Sequence, residues 1–212
     1  IGSNDGFVST WYDQSGNGNN ATQITVGSQP QVVSGGVVDL DNLKPAIVFN
    51  GTSTTLTDTF DSISQPNTIF SIANTNAING GLMYDGVGSF GRHTYDVNGD
   101  AYAGASMSGT ALTVDTQYLH SLFYNSSSSS SYRNSIINAT GNVGTQGLSG
   151  ITIGSRFSGS YWSGSIQELI IYNSDQSSNR TGIETNINNY YNIYSPTTGI
   201  GTFIIGSTFT IT

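Results

Sequence analysis

The sequence has no cysteine, only four prolines and two methionines, and just 8% of its residues are charged. Without cysteine there are no disulfide staples and no thiolate metal centre, so packing and backbone hydrogen bonds must hold the fold. At 212 residues the chain is long enough to bury a core unaided. The basic residues Lys44, Arg92, Arg133, Arg156 and Arg180 form no run, and the net charge is −8. A phosphate backbone would be repelled, so nucleic acid is not expected as a partner. No stretch approaches the roughly 20 apolar residues of a membrane-spanning helix. His93 and His120, the only histidines, lack zinc-ligand spacing. No nucleophile elbow or phosphate-binding loop is present. The chain opens on Ile1 rather than Met, which reads as a fragment or processed form.

Glycine, serine, threonine and asparagine fill the space that charge leaves. Such a surface suits an extracellular, bacterial-surface or virion-surface protein. The stretch W-Y-D-Q-S-G-N-G-N-N at residues 11–20 reads as a strand ending in a tight loop. Glycine supplies the backbone angles there, and Asp, Asn and Ser bond their own backbone. Short strands are expected at residues 7–12, 45–49, 68–73, 81–84, 93–97, 101–105, 117–124, 151–153 and 164–172, with a hairpin over 31–38. The serine tract 126–131 reads as a loop. This spacing predicts an all-β sandwich or jelly roll.

One amphipathic helix interrupts the pattern between residues 177 and 194. There Ile183, Ile187, Tyr190, Tyr191 and Tyr194 recur at helical spacing, behind the candidate caps Asp175, Ser177 and Ser178. The preceding strand carries apolar residues on both faces, with Ile166, Ile170 and Tyr172 on one and Leu169 and Ile171 on the other. The helix is the expected cover. In the tail, 195–212, Phe203, Ile205, Phe209 and Ile211 alternate with small and polar residues. That period of two predicts a strand adding to a sheet edge, either of another domain or subunit through residues 198–212 or of its own domain.

Three motifs in register resemble the laminin-G-like, concanavalin A-like jelly-roll domains of bacterial surface and phage proteins. They are D-Q-S-G-N-G-N at residues 13–19, P-A-I-V-F-N-G-T at 45–52, with Asn50 where Asp is usual, and G-S-I-Q-E-L-I-I-Y-N at 164–173. The resemblance implies a two-sheet jelly roll over residues 1–194, truncated at its N-terminus, with one C-terminal helix. It also implies a role in adhesion or glycan recognition on a phage fibre, decoration protein or bacterial adhesin. A structural calcium ion held by Asp13 and Asn17 with backbone carbonyls is the cofactor it suggests, against a loop bonded only to itself. W-Y-D-Q-S-G-N-G-N with Ala21, Thr22 and Gln23 is also similar to the catalytic domain of α-L-arabinofuranosidases. That similarity places Asp96 or Asp100 near the family's nucleophile, where Asp stands for Glu, with Glu168 a further carboxylate. A purely structural assembly domain is the third reading.

For a glycan or cell-surface polysaccharide, the aromatic residues in or beside loops are the candidate platforms: Trp162, Tyr161, Tyr102 and Tyr95, with Trp162 and Tyr161 expected to be best exposed. Trp11 is expected in the core. Glu168 is expected to be partly buried beside Ile166 and Ile170 and paired with Arg156 or Arg92, since a buried carboxylate needs a partner. Glu184, on the helix, is expected to be solvated, and Asp85, Asp96 and Asp100 to form turns.

Overall fold

The computed structural model describes residues 2–88, 91–156 and 159–195, and the tail strand expected through residues 198–212 lies outside them. Among them are two large antiparallel sheets of nine and eight strands, packed face to face as a jelly-roll sandwich with one C-terminal helix. The first sheet is built on its three longest strands. Asn67–Thr75 lies at the centre, paired along its length with Thr116–Tyr124 on one side and Ser163–Tyr172 on the other. The second sheet runs from Ser106–Met107 through Leu82–Asp85 and Ile151–Ile153 to Leu56–Asp58, Ala21–Thr22 and Thr10–Trp11.

Asn67–Thr75 shows why a strand can be apolar on both faces. Ile69 and Ala73 enter the core between the sheets with Phe49, Leu56, Tyr84, Tyr95, Leu122 and Trp162. Phe70 and Ile72 point the other way, into a second cluster with Leu119, Phe123, Ile187 and Tyr191. The helix Arg180–Tyr191 is therefore the expected cover, laid on the outer face of the first sheet. It starts later than its periodicity suggests, because a 3-10 turn occupies Ser177–Asn179 and Asp175 bonds the Ser177 amide there. Asn192 in the left-handed conformation ends it. Tyr190 leaves the apolar stripe and is exposed, with Lys44 Nζ 4.0 Å above its ring.

Several local expectations need correction. The residues read as one first strand form two, Gly6–Phe7 in the first sheet and Thr10–Trp11 in the second, with the chain crossing between sheets at Val8 and Ser9. Half of the serine tract is strand: Ser129–Arg133 pairs with Thr116–Tyr124 and with Ile136–Gly141. Serine fits because Ser129 Oγ donates to Ser126 O and accepts from the Asn125 amide, so a buried hydroxyl stays satisfied.

The alternation along Ser163–Tyr172 also breaks. Its ladder with Asn67–Thr75 pairs Ala73 with Ile166 and Ile72 with Glu168, leaving Gln167 as an extra residue. Such a bulge reverses which face each later side chain takes. Ile166 thus shares the inter-sheet core with Leu169 and Ile171, whereas Ile170 and Tyr172 join the helix-side cluster.

The core holds two histidines. His93 stacks on Tyr124 at 4.0 Å between ring centroids, and His120 sits 5.0 Å from the Tyr95 ring. Burial lowers both pKa values, His93 to about 4 and His120 well below 6.5. Between these values and 6.5 the unfolded chain binds protons that the folded chain refuses, so stability is full above pH 6.5 and lost on acidification. Asp85 opposes this. Its burial raises the pKa from 3.8 to about 6, so its ionisation removes stability as pH rises through that window. Asp96 and Asp39, also raised by burial, act in the same sense as Asp85, but the two deeply buried histidines outweigh them, so a net loss of stability is expected from pH 7 to about 4.5. Urea unfolding checks it, and His120→Phe should flatten the dependence.

Candidate functional site

The principal cleft opens beside the second half of Ser163–Tyr172. It has a volume of about 940 Å³ and is lined by residues of both sheets and of the glycine loop. That size falls within the range of small-molecule sites. Its inner wall is apolar, made of Ala21, Ile151, Ile153, Leu169 and Ile171. Trp11, Tyr12, Asp13, Asn17 and Asn19 form the outer wall, with Phe60 and Asp61 nearby.

The loop holds its shape through Asp13. One carboxylate oxygen accepts the Ser15 amide at 2.7 Å, and the other accepts Ser15 Oγ at 2.8 Å and the Asn19 amide at 3.1 Å. Asn20 Oδ1 accepts the Asp13 amide at 2.9 Å, which closes the loop. Gly16 and Gly18 take φ of +85° and +81°, conformations that a side chain would strain. The donated hydrogen bonds hold the Asp13 carboxyl below its usual pKa. Consequently Tyr12, 66% exposed, is displayed at the rim by a fixed turn. Trp11, expected in the core, packs against the inter-sheet core half-buried and also lines the cleft beside it.

Calcium takes about six to eight oxygen ligands. Asp13 is the loop's only carboxylate, both its oxygens already accept loop donors, and Asn17 Nδ2 is turned to Ser15 Oγ. Among the described residues no group of three or more His, Asp or Glu side chains is arranged to hold a metal ion. The loop's own amides and hydroxyls account for its closure.

The aromatic residues chosen from sequence do not come together at the cleft. Trp162 is 0% exposed, which overturns its expected exposure, and the candidate Tyr95 is fully buried as well, both in the inter-sheet core. Trp162 is flanked by serine and glycine, but those small residues admit close packing. Its backbone bonds Gly154 and Gly51, and the Gly81 backbone passes beside it. Tyr102 is half-buried under the Arg92 guanidinium, 5.0 Å from its ring, and Tyr161 is half-buried. Neither lines the cleft.

The carboxylates are similarly dispersed. Asp96 Oδ1 accepts the amides of Asn98 and Asp100, and Asp100 Oδ1 accepts the Gly109 amide, so both close turns of the second sheet. Glu168 lies on the first sheet, after the bulge, and faces the helix instead of Ile166. Its neighbour is Tyr191, whose phenol is raised in pKa by burial and by this carboxylate. The arginines proposed for Glu168 are elsewhere: Arg92 binds Asp85 at 3.0 Å, and Arg156 lowers the pKa of the same carboxyl. Asp85 is thus a buried ion-pair member rather than a turn former. Glu184 is 0% exposed instead of solvated.

No family model and no curated protein sequence matches the chain. Similarity is found among solved structures. A sialidase from Trypanosoma rangeli in complex with sialic acid aligns at TM-score 0.54 and 14% identity, covering 85% of this chain and 31% of the sialidase. The same enzyme with the inhibitor DANA aligns at TM-score 0.54 and 15% identity, covering 81% of this chain and 30% of that one. The likeness is one of fold. This chain spans about a third of the length of the sialidases it matches. A heptameric SAP-like pentraxin from Limulus polyphemus aligns at TM-score 0.48 and 14% identity, over 67% of this chain and 82% of that one.

Proposed function

We propose that the chain is a non-catalytic carbohydrate-recognition module of an extracellular or virion-surface protein, and that it binds a glycan along the outer wall of the cleft. One observation carries the reading: the loop sets the exposed side chain of Tyr12 in one cleft lining with Asp13, Asn17, Asn19 and Asp61. An aromatic face packs on the C–H surface of a sugar, and amides and carboxylates take its hydroxyls; a concave site with a few placed polar groups is the usual form. The use of Asp96 and Asp100 as turn caps, in a different sheet from Glu168, supports binding without hydrolysis. The sialidases add an analogy of fold and no more.

A glycan array tests the proposal, with Tyr12→Ala as the control. At its best ligand the variant is expected to lose about tenfold in affinity, or about 1.4 kcal/mol. Its melting temperature should stay within about 1 °C of the parent, because the ring is mostly outside the core. An array with no binder, or a variant that binds as well as the parent, defeats the reading.

A further inference from the structure

Ser163–Tyr172 is an interior strand of its sheet with half of one side left open. Towards Asn67–Thr75 it is paired from Gly164 to Tyr172, whereas towards Ile47–Asn50 the ladder stops at Ile166. Among the described residues no strand pairs with residues 168–172 on that side, and all five line the cleft. The edge therefore offers backbone amides as donors and carbonyls as acceptors to a ligand that enters. Leu169 and Ile171 flank it on the core side, half-buried, and Ala21, Ile151 and Ile153 complete an apolar wall there. The charged side chains of the lining are Asp13, Asp61 and Glu168, with no lysine, arginine or histidine among them.

We propose, building on the recognition reading, that the sugar unit held in this cleft is a neutral 2-acetamido sugar, an N-acetylhexosamine. An acetamido group is a peptide unit in miniature: its N–H donates, its C=O accepts, and a methyl group follows. An unpaired ladder edge is the natural partner of such a unit, since it presents the complementary pair of groups. The methyl group then lies on Leu169, Ile171, Ile151 and Ile153 and keeps water off that wall. A hydroxyl in place of the acetamido group supplies neither the paired amide nor the methyl.

The charge of the lining excludes the acidic members of the class. Asp13 is held ionised by the hydrogen bonds of its own loop, and the chain as a whole carries a net charge of −8. A carboxylate or sulfate on the ligand would enter beside three side-chain carboxyls and meet no cation. The ring of the sugar stays with Tyr12, Asn17 and Asn19 at the rim, so both halves of the lining are used.

Titrations followed by amide NMR shifts test the proposal with the methyl β-glycosides of N-acetylglucosamine, N-acetylgalactosamine, glucose and galactose. At least one acetamido sugar is expected to shift the amides among residues 168–172 and to bind at least about tenfold more tightly than its 2-hydroxy counterpart. The 6-sulfate of that sugar should bind about tenfold more weakly than the neutral form, with the gap narrowing as salt is added. Equal affinity for the 2-hydroxy sugars, shifts confined to the Tyr12 loop, or a 6-sulfate that binds as well as its parent each overturn this inference and leave the recognition reading standing. Binders on the glycan array that all lack an acetamido group do the same. An array without binders together with titrations without shifts defeats both.

Discussion

Replacing Trp162 with alanine is expected to lower stability by about 3–5 kcal/mol and the melting temperature by about 10 °C. The side chain is fully enclosed among the largest residues of the inter-sheet core, alongside Tyr84, Tyr95 and Phe49. Little can collapse into the space it leaves. Gly154, held at φ +83° against the Phe49 ring, and Gly164, which approaches the Asn74 carbonyl, already sit as close as backbone allows. Chemical denaturation would measure the loss. A change below about 1 kcal/mol would mean that the core relaxes around the deletion, contrary to the packing described. A glycan-binding defect in this variant would report unfolding rather than lost contact, which is why Tyr12 is the informative substitution.

Arg180→Ala is expected to cost about 3 kcal/mol, the lower part of the range for breaking a buried ion pair, because the arginine keeps some contact with water. Glu184 is buried against the first sheet and accepts Ser121 Oγ at 2.7 Å, Ser135 Oγ at 2.8 Å and Arg180 Nη1 at 2.6 Å. Removing the cation strands a carboxylate that two hydroxyls alone must satisfy. The guanidinium also lies 4.0 Å above the Tyr132 ring, so stacking is lost as well. The double variant Arg180→Met, Glu184→Leu should be more stable than Arg180→Ala, since neither charge is left unpaired. Urea unfolding of the two proteins compares them directly; a double variant less stable than the single one would refute this account of the pair.

The architecture was legible because it rests on periodicity. Strand-length runs with a period of two, and one stripe at 3.6, describe two sheets and a covering helix whatever the loops do. The Gly/Asn loop was legible as a turn for the same local reason, since its hydrogen bonds stay within residues 12–20. What decides the site is not local. Trp162 reads as exposed from its serine and glycine neighbours, yet those residues are small to let other backbones close over it. The burial of Glu184 depends on Ser121 and Ser135, which only the folded sheet brings to the helix. Its Arg180 partner four residues earlier was the one available sign. The cleft comes from a ladder that stops at Ile166, and a strand's sequence does not say how far its neighbour extends.

The extra residue at Gln167 gives the strand a second reading frame. Its side-chain amide nitrogen donates to the carbonyls of Asp41, Lys44 and Pro45 at 3.0, 2.9 and 3.1 Å, so the frame changes at a point riveted to the neighbouring hairpin. Excising this one residue would let Glu168 follow Ile166 in regular alternation, opposite Ile72 and Ala73 as now, so Leu169 and Ile171 would keep the core side and only the anchor to the hairpin would be lost. The insertion therefore serves as a peg for the hairpin, and its chemical identity, an amide long enough to reach three carbonyls, matters more than the extra length it adds.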